Sequence, residues 1–95
     1  MPKKKAPARE RVSLIPKAAI AAEIRRIMKE RGLTQTETSW LVQDAPSQLS
    51  LIATGKLAGF SSERLLRILV RLGNDVEIRT SRAKGKIGKV RLRVR

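Results

Sequence analysis

Closely spaced signals for helix ends restrict the central part of this chain to short helices. Glycine suits the left-handed backbone position that ends a helix, and it recurs at Gly32, Gly55 and Gly73. Ser, Thr and Asp favour the position that precedes a helix, and they stand ahead of helical segments at Thr34, Asp44 and Ser61. These signals predict helices at residues 16–31, 34–42, 45–54 and 61–72.

The apolar residues of these segments recur at spacings of three and four, so one face of each helix is expected to enter a common core. The expected core residues are Ile20, Ile24, Ile27, Met28, Leu33, Leu41, Val42, Leu49, Ile52, Leu65, Leu66, Leu69 and Leu72. On the fourth helix the opposite side carries Arg64, Arg67 and Arg71. Trp40 has two interpretations, a partly buried packing residue or an anchor at a subunit or partner surface.

After residue 74 the pattern changes from helical to alternating. Residues 75–80 place Val76, Ile78 and Thr80 on one face, and residues 89–94 alternate aliphatic side chains with arginine. A lone two-stranded hairpin is marginal in water, so such strands must pack on the helices or extend across a subunit boundary. The expected fold is mainly α, with four to five helices followed by a short C-terminal β-strand or hairpin.

Basic residues concentrate at the two ends of the chain. Lys and Arg total 22 against 8 Asp and Glu, a net charge of +14. Residues 81–95 hold seven of the basic residues and no acid, whereas residues 33–60 hold one basic residue and two acids. This excess indicates a polyanionic partner, most often nucleic acid. The side chains expected to contact phosphates are Lys3, Lys4, Lys5, Arg9, Arg11, Lys84, Lys86 and Lys89.

The composition argues against several functional classes. The chain has no Cys, His or Tyr, so it lacks the residues of a disulfide, a thiolate nucleophile or the usual zinc site, and general acid–base groups are few. We therefore expect no enzymatic activity, no metal and no cofactor. Two aromatic residues are too few for a base-stacking platform. The longest apolar run, at residues 18–22, is too short to cross a bilayer, so a cytoplasmic protein without a membrane partner is expected.

The helices at 34–42 and 45–54, joined by about two residues, form the helix-turn-helix pattern. In that arrangement the first helix crosses the DNA backbone and directs its N-terminal N–H groups at a phosphate. The second helix then lies in the major groove with its N-terminal side chains against base edges. An all-α bundle with no role in DNA binding remains the alternative, because short helix pairs are common.

The motifs GLTQTETSWLV, from Gly32 to Val42, and SQLSLIATGKLAGFSSERLLRILVRLGNDVEI, from Ser47 to Ile78, resemble the Xre-type helix-turn-helix family, in its HigA-like antitoxin group. The resemblance covers roughly residues 17–80. It implies a compact helical DNA-binding domain that ends in a strand and dimerises on a palindromic operator. It also implies a possible pairing with a RelE/HigB-like toxin and repression of the protein's own operon.

The resemblance also suggests site residues. Gln35 matches the family glutamine that binds a phosphate, and Ser50 matches a serine of the recognition helix. Lys56 matches a basic residue that follows the glycine of the motif, here Gly55. Gln48 could pair with adenine through two hydrogen bonds. The full candidate set is Thr34, Gln35, Ser47, Gln48, Ser50, Thr54 and Lys56, with ordinary polar surface as the alternative for Ser47, Gln48 and Thr54.

The turn departs from the family pattern. The family usually has Gly and an aliphatic residue where this chain has Gln43 and Asp44, and Ser or Asp followed by Gln where it has Ala45 and Pro46. The segment between Arg31 and Lys56 also holds no basic residue. Whether these changes weaken base readout is left open by the sequence.

These observations divide the chain into a flexible basic arm at 1–14, a DNA-binding domain at 15–80 ending in a strand at 75–80, and a basic extension at 81–95 with a second strand at 89–94. The leading hypothesis is a homodimeric, sequence-specific DNA-binding regulator that acts as an autorepressor. Two alternatives are an antitoxin whose main role is to bind a toxin, and a basic RNA-associated protein. The sequence specifies neither an operator nor a cognate toxin.

Overall fold

Residues 15–94, which the computed structural model describes, contain four helices. They are α1 at Lys17–Arg31, α2 at Gln35–Val42, α3 at Pro46–Ala53 and α4 at Ser62–Arg71. Each lies within one or two residues of its predicted segment, so the mainly helical fold is confirmed. None of these described helices has the length and apolar character that crossing a bilayer requires.

The strongest local signals act as predicted at the junction of α1 and α2. Gly32 adopts the left-handed conformation, with φ of 66°, and its N–H bonds to carbonyls of the last turn of α1. Thr34 forms a complete capping box, because its hydroxyl accepts from the Glu37 N–H at 3.0 Å and its own N–H donates to Glu37 Oε1 at 2.9 Å. Ser61 caps α4 with a single hydrogen bond, its hydroxyl accepting from the Arg64 N–H at 3.0 Å.

The prediction that Asp44 caps α3 is wrong. Ala45, with φ of −76° and ψ of 145°, occupies the N-cap position, and no side chain caps the helix. Asp44 lies one residue earlier, where its carboxylate accepts from the Ala45 N–H at 3.0 Å and pairs with Arg64 of α4. Pro46 begins the helix, as expected of a residue with no N–H to donate.

The core lies where α1 packs against α3 and α4 and where α2 packs against α3 and α4. Its buried apolar residues are Ile20, Ala21, Ile24, Ile27, Met28, Val42, Leu49, Ile52, Phe60, Leu65, Ile68, Leu69 and Leu72. Leu41 was expected among them but is 45% exposed. Thr38 and Ser39 are buried on that helix instead. Their hydroxyls donate to the carbonyls of Thr34 and Thr36, so their burial leaves no unpaired hydroxyl donor.

Three basic side chains of α1 bind backbone carbonyls of other elements. Arg25 Nη1 donates to the Ile52 oxygen near the end of α3 at 2.9 Å, and Arg31 Nη1 donates to the Leu72 oxygen at the end of α4 at 3.0 Å. Lys17 Nζ donates to two carbonyls of the loop between α3 and α4. These hydrogen bonds join α1 to α3, to α4 and to the loop between them. At the ends of α3 and α4 they also place a positive charge where the helix dipole favours one.

The structure of the described residues does not support the predicted C-terminal strands. Residues 75–94 form no strand in the structure, so neither the strand at 75–80 nor the one at 89–94 is present. Ile78 is 80% exposed and Ile87 is 87% exposed, whereas Leu92 packs against the core. Alternation supplies an apolar face, but a strand also needs a paired edge, and a two-stranded hairpin alone is marginal.

Candidate nucleic-acid interface

The α2 and α3 helices form the helix-turn-helix unit, and a tight turn at Gln43–Ala45 connects them. Gln43 has a φ of 58°, the left-handed conformation that reverses the chain direction at the end of α2. Beyond the turn, Leu49 and Ile52 are completely buried. These two anchors fix the rotation of α3 about its axis and therefore decide which of its side chains face outward.

The outward side of α3 carries small uncharged polar groups. Ser47, Ser50 and Thr54 are spaced by three and four residues and so lie along one side of the helix. Ser47 is exposed, and Ser50 and Gln48 are half-buried. The Thr54 hydroxyl donates to the Ser50 carbonyl at 3.0 Å, so it is engaged at the helix end and can only accept from a ligand.

The first turn of α2 offers backbone donors beside an exposed glutamine. Gln35 is exposed at the first position of the helix, where backbone N–H groups lack intrahelical partners. Thr34 precedes it, with its hydroxyl oxygen already accepting within the capping box. Gln35 is therefore better placed than Thr34 for a phosphate, while the acidic Glu37 in the same turn partly offsets the positive end of the helix dipole.

The turn is tied to α4 by two arginines. Arg64 Nη2 contacts both carboxylate oxygens of Asp44, at 2.8 and 2.9 Å, and its guanidinium lies 4.8 Å from the centre of the Phe60 ring. Arg71 Nη1 donates to Gln43 Oε1 at 2.7 Å. The helical pattern indicated only that these arginines oppose the core. No local signal connects them to residues twenty or more positions away.

Basic residues precede and follow the helix pair in the sequence and are absent from it. Residues 33–55 contain no Lys or Arg, and Lys56 is exposed directly after α3. Lys84, Lys86 and Lys89 are exposed on the C-terminal segment. The N-terminal candidates Lys3, Lys4, Lys5, Arg9 and Arg11 lie outside the described residues. Within residues 15–94, the cations available to phosphates are thus separate from the side chains available to bases.

Trp40 is 73% exposed on α2, so its interpretation as a partly buried packing residue is wrong. The adjacent Leu41 is also exposed, and together they form an apolar patch on the helix-turn-helix unit. Large side chains of this kind frequently anchor interfaces, which leaves the second interpretation as the one to test.

A family model described as a helix-turn-helix domain matches residues 7–81. No curated protein and no solved structure matches the chain. The match spans all four helices and the turn described above, the architecture with which such domains bind DNA. This protein belongs to the helix-turn-helix domain family.

Proposed function

We propose that the protein is a sequence-specific transcriptional regulator that binds a palindromic operator in double-stranded DNA as a homodimer and represses its own operon. The observation that carries this proposal is the polar surface of α3, where Ser47 is exposed and the half-buried Gln48 and Ser50 flank the buried anchors Leu49 and Ile52. Neutral donors and acceptors in that position suit the base edges of a major groove. No enzymatic activity is part of the proposal.

The binding energy is proposed to come mainly from outside the helix pair. Gln35 and Lys56, at the start of α2 and just after α3, would contact phosphates on either side of the groove. The exposed lysines of the C-terminal segment would add contacts that release counterions, and the N-terminal lysines and arginines would do the same. This division between charged phosphate contacts and neutral base contacts predicts that affinity depends strongly on salt. Specificity would arise separately, from the side chains of α3.

The homodimer is supported by the C-terminal segment. Val76, Ile78, Ile87 and Val90 expose apolar side chains on a segment that borders an opening of about 1760 Å³ beside α1 and α4. A second copy of this segment could pair with it and cover these side chains, which would also provide the edge that a strand lacks in one chain. A homodimer that binds a palindrome would have to place its two recognition helices about one DNA turn apart, about 34 Å.

A toxin-binding role is the second candidate, and the exposed Trp40 is the observation that favours it. Trp is enriched at the centres of protein interfaces, and the surrounding residues 33–55 are free of Lys and Arg. A basic RelE/HigB-like toxin could approach this patch without the repulsion that the rest of the chain would exert. Trp40→Ala should then abolish co-purification with a toxin while leaving DNA binding and thermal stability close to those of the original protein.

Selection from a random pool of DNA duplexes tests the main proposal. The bound fraction should converge on an inverted repeat, and sedimentation of the purified complex should give two chains per duplex. Structured RNA serves as the competitor in the same buffer. Failure of the pool to converge, or preferential displacement by the RNA, would remove the regulator proposal in favour of a general nucleic-acid binder.

A further inference from the structure

We infer that Arg64 is a positioning residue for DNA reading, which holds the turn through Asp44 and so fixes the angle between α2 and α3. The geometry of the turn supports the positioning contact itself. Its effect on sequence discrimination also rests on the proposed function. It assigns to α4, which otherwise serves the core, a part in sequence discrimination.

Arg64 is held on both sides. Its guanidinium packs over the ring of Phe60, a buried core residue, and its Nη2 contacts both oxygens of Asp44. The side chains of Arg64 and Asp44 are only 34% and 17% exposed, so water screens the pair less than it screens a surface pair. A continuous set of contacts therefore connects the core, through Arg64, to the residue that precedes the cap of α3.

A second contact makes the same connection one residue earlier. Gln43 adopts a left-handed conformation that non-glycine residues rarely adopt, and its side-chain oxygen accepts from Arg71 at 2.7 Å. Arg64 and Arg71 are seven residues apart and so lie on the same side of α4. The helix thus holds two successive turn residues, and it does so where α3 has no side-chain cap of its own.

Precise placement matters because base contacts tolerate little displacement. A binding site must be held within roughly 0.5 Å of its productive geometry by residues whose own conformations are fixed. Ser47 lies two residues after Ala45, the last residue of the turn, and Gln48 follows it. A change in the turn's backbone therefore moves both side chains. Phosphate contacts through long lysine side chains tolerate such movement far better.

Two substitutions that change the charge in opposite directions separate positioning from phosphate binding. Arg64→Gln removes a positive charge and Asp44→Asn removes a negative one, yet both break the same pair. Each should weaken binding to the selected operator by roughly ten-fold, the scale of the coupling between residues that interact directly, and leave binding to an unrelated duplex within about two-fold. The charge exchange Asp44→Arg with Arg64→Asp should recover most of the affinity. Arg26→Gln, which removes an arginine ion pair from the surface of α1, is the matched control and should bind both duplexes at neutral pH with the affinities of the original protein.

Tighter binding of Asp44→Asn to both duplexes would show that the released Arg64 binds phosphate, and would overturn the inference. Equally weakened binding of Arg64→Gln to both duplexes would overturn it as well. Amide hydrogen exchange of the free protein gives a readout that needs no DNA: Arg64→Gln should accelerate exchange at residues 44, 45 and 47–49 and leave residues 20–28 unchanged. If the original protein shows no preferred duplex, the proposed function fails, whereas unchanged exchange in Arg64→Gln contradicts the positioning role itself.

Discussion

Arg25 of α1 donates a hydrogen bond to the carbonyl oxygen of Ile52 at 2.9 Å, so the first helix supports the end of the third. Arg25 is half-buried, and Ile52 is completely buried. The basic side chain thus stabilises the scaffold beneath the proposed recognition helix. Its charge serves the protein's own backbone, although the composition alone would count it among the cations available to DNA.

Replacement of Arg25 by Met should lower the free energy of unfolding by about 1.5–3 kcal/mol, the range for hydrogen bonds to charged groups. Met keeps much of the length of the side chain but leaves the Ile52 carbonyl without this donor. Urea unfolding followed by circular dichroism measures the change. Lys29→Met removes an exposed cation from the same helix and should stay within about 0.5 kcal/mol of the original; equal effects of the two would contradict the role of the Arg25 hydrogen bond.

Ala45→Ser should stabilise the protein by about 1 kcal/mol, the typical value of a side-chain N-cap. Ala45 already has the backbone geometry of an N-cap but lacks a side chain that can accept from the first turn of α3, and Ser supplies that acceptor. Ser61→Ala is the reverse experiment on α4, where the serine accepts from the Arg64 N–H at 3.0 Å. Thermal denaturation should show midpoint shifts of opposite sign for the two variants.

Gln48→Ala should relax discrimination at one base pair of the operator by about 1–3 kcal/mol, the value of a good side-chain contact to a base. The measurement is the affinity for the selected duplex and for its single-position variants. Gln35→Ala removes the same side chain from the start of α2 and should weaken all duplexes alike. If Gln48→Ala also weakened binding to all duplexes alike, Gln48 would contact the DNA backbone rather than the bases.

Conversion of Lys84, Lys86 and Lys89 to Gln should reduce the dependence of affinity on salt, by roughly 0.9 in the logarithmic slope for each phosphate that is no longer neutralised. All three side chains are exposed, so the substitutions should leave the fold intact. The same changes at Lys3, Lys4 and Lys5 should act in the same direction. A plot of log affinity against log salt provides the slope, and an unchanged slope would mean that these lysines do not bind DNA.

Stability should decline on acidification partly through Glu23. Hydrogen bonds from Arg26 lower the pKa of Glu23 below its ordinary value of 4.5, with burial opposing them. A carboxylate with a depressed pKa contributes stability above its unfolded-state value, and this stability disappears as the pH falls through the folded-state value. Glu23→Gln should therefore flatten the decrease in unfolding midpoint below about pH 4.5. Arg26→Gln should flatten it similarly, and an unaltered acid profile in both would exclude the pair as a cause.

Local signals predicted most of the fold. The glycine at 32, the capping box at Thr34 and the cap at Ser61 act within a few residues of the chain, so the sequence contains the whole of each feature. The inward positions of Leu49 and Ile52 followed from helical periodicity for the same reason. The sequence was therefore sufficient to predict the bounds of α2 and α3.

Features that depend on distant partners were not predicted. Asp44 matches a helix cap by type, but its ion pair with Arg64 arises only once α4 has packed beside the turn. Leu41 matches a core residue by hydropathy, yet the short α2 buries Thr38 and Ser39 instead. Alternation around Ile78 predicted a strand because the pattern contains no information about whether another strand is available to pair with it.

The proposed recognition helix α3 has one further property, since none of the residues from Pro46 to Ala53 can gain or lose a proton near neutral pH. A change of ionic strength in the cell should alter how much of the protein is bound, because the phosphate contacts depend on salt. Neither that change nor acidification should reorder the preference among competing genomic positions, because that preference would be set by groups that do not titrate.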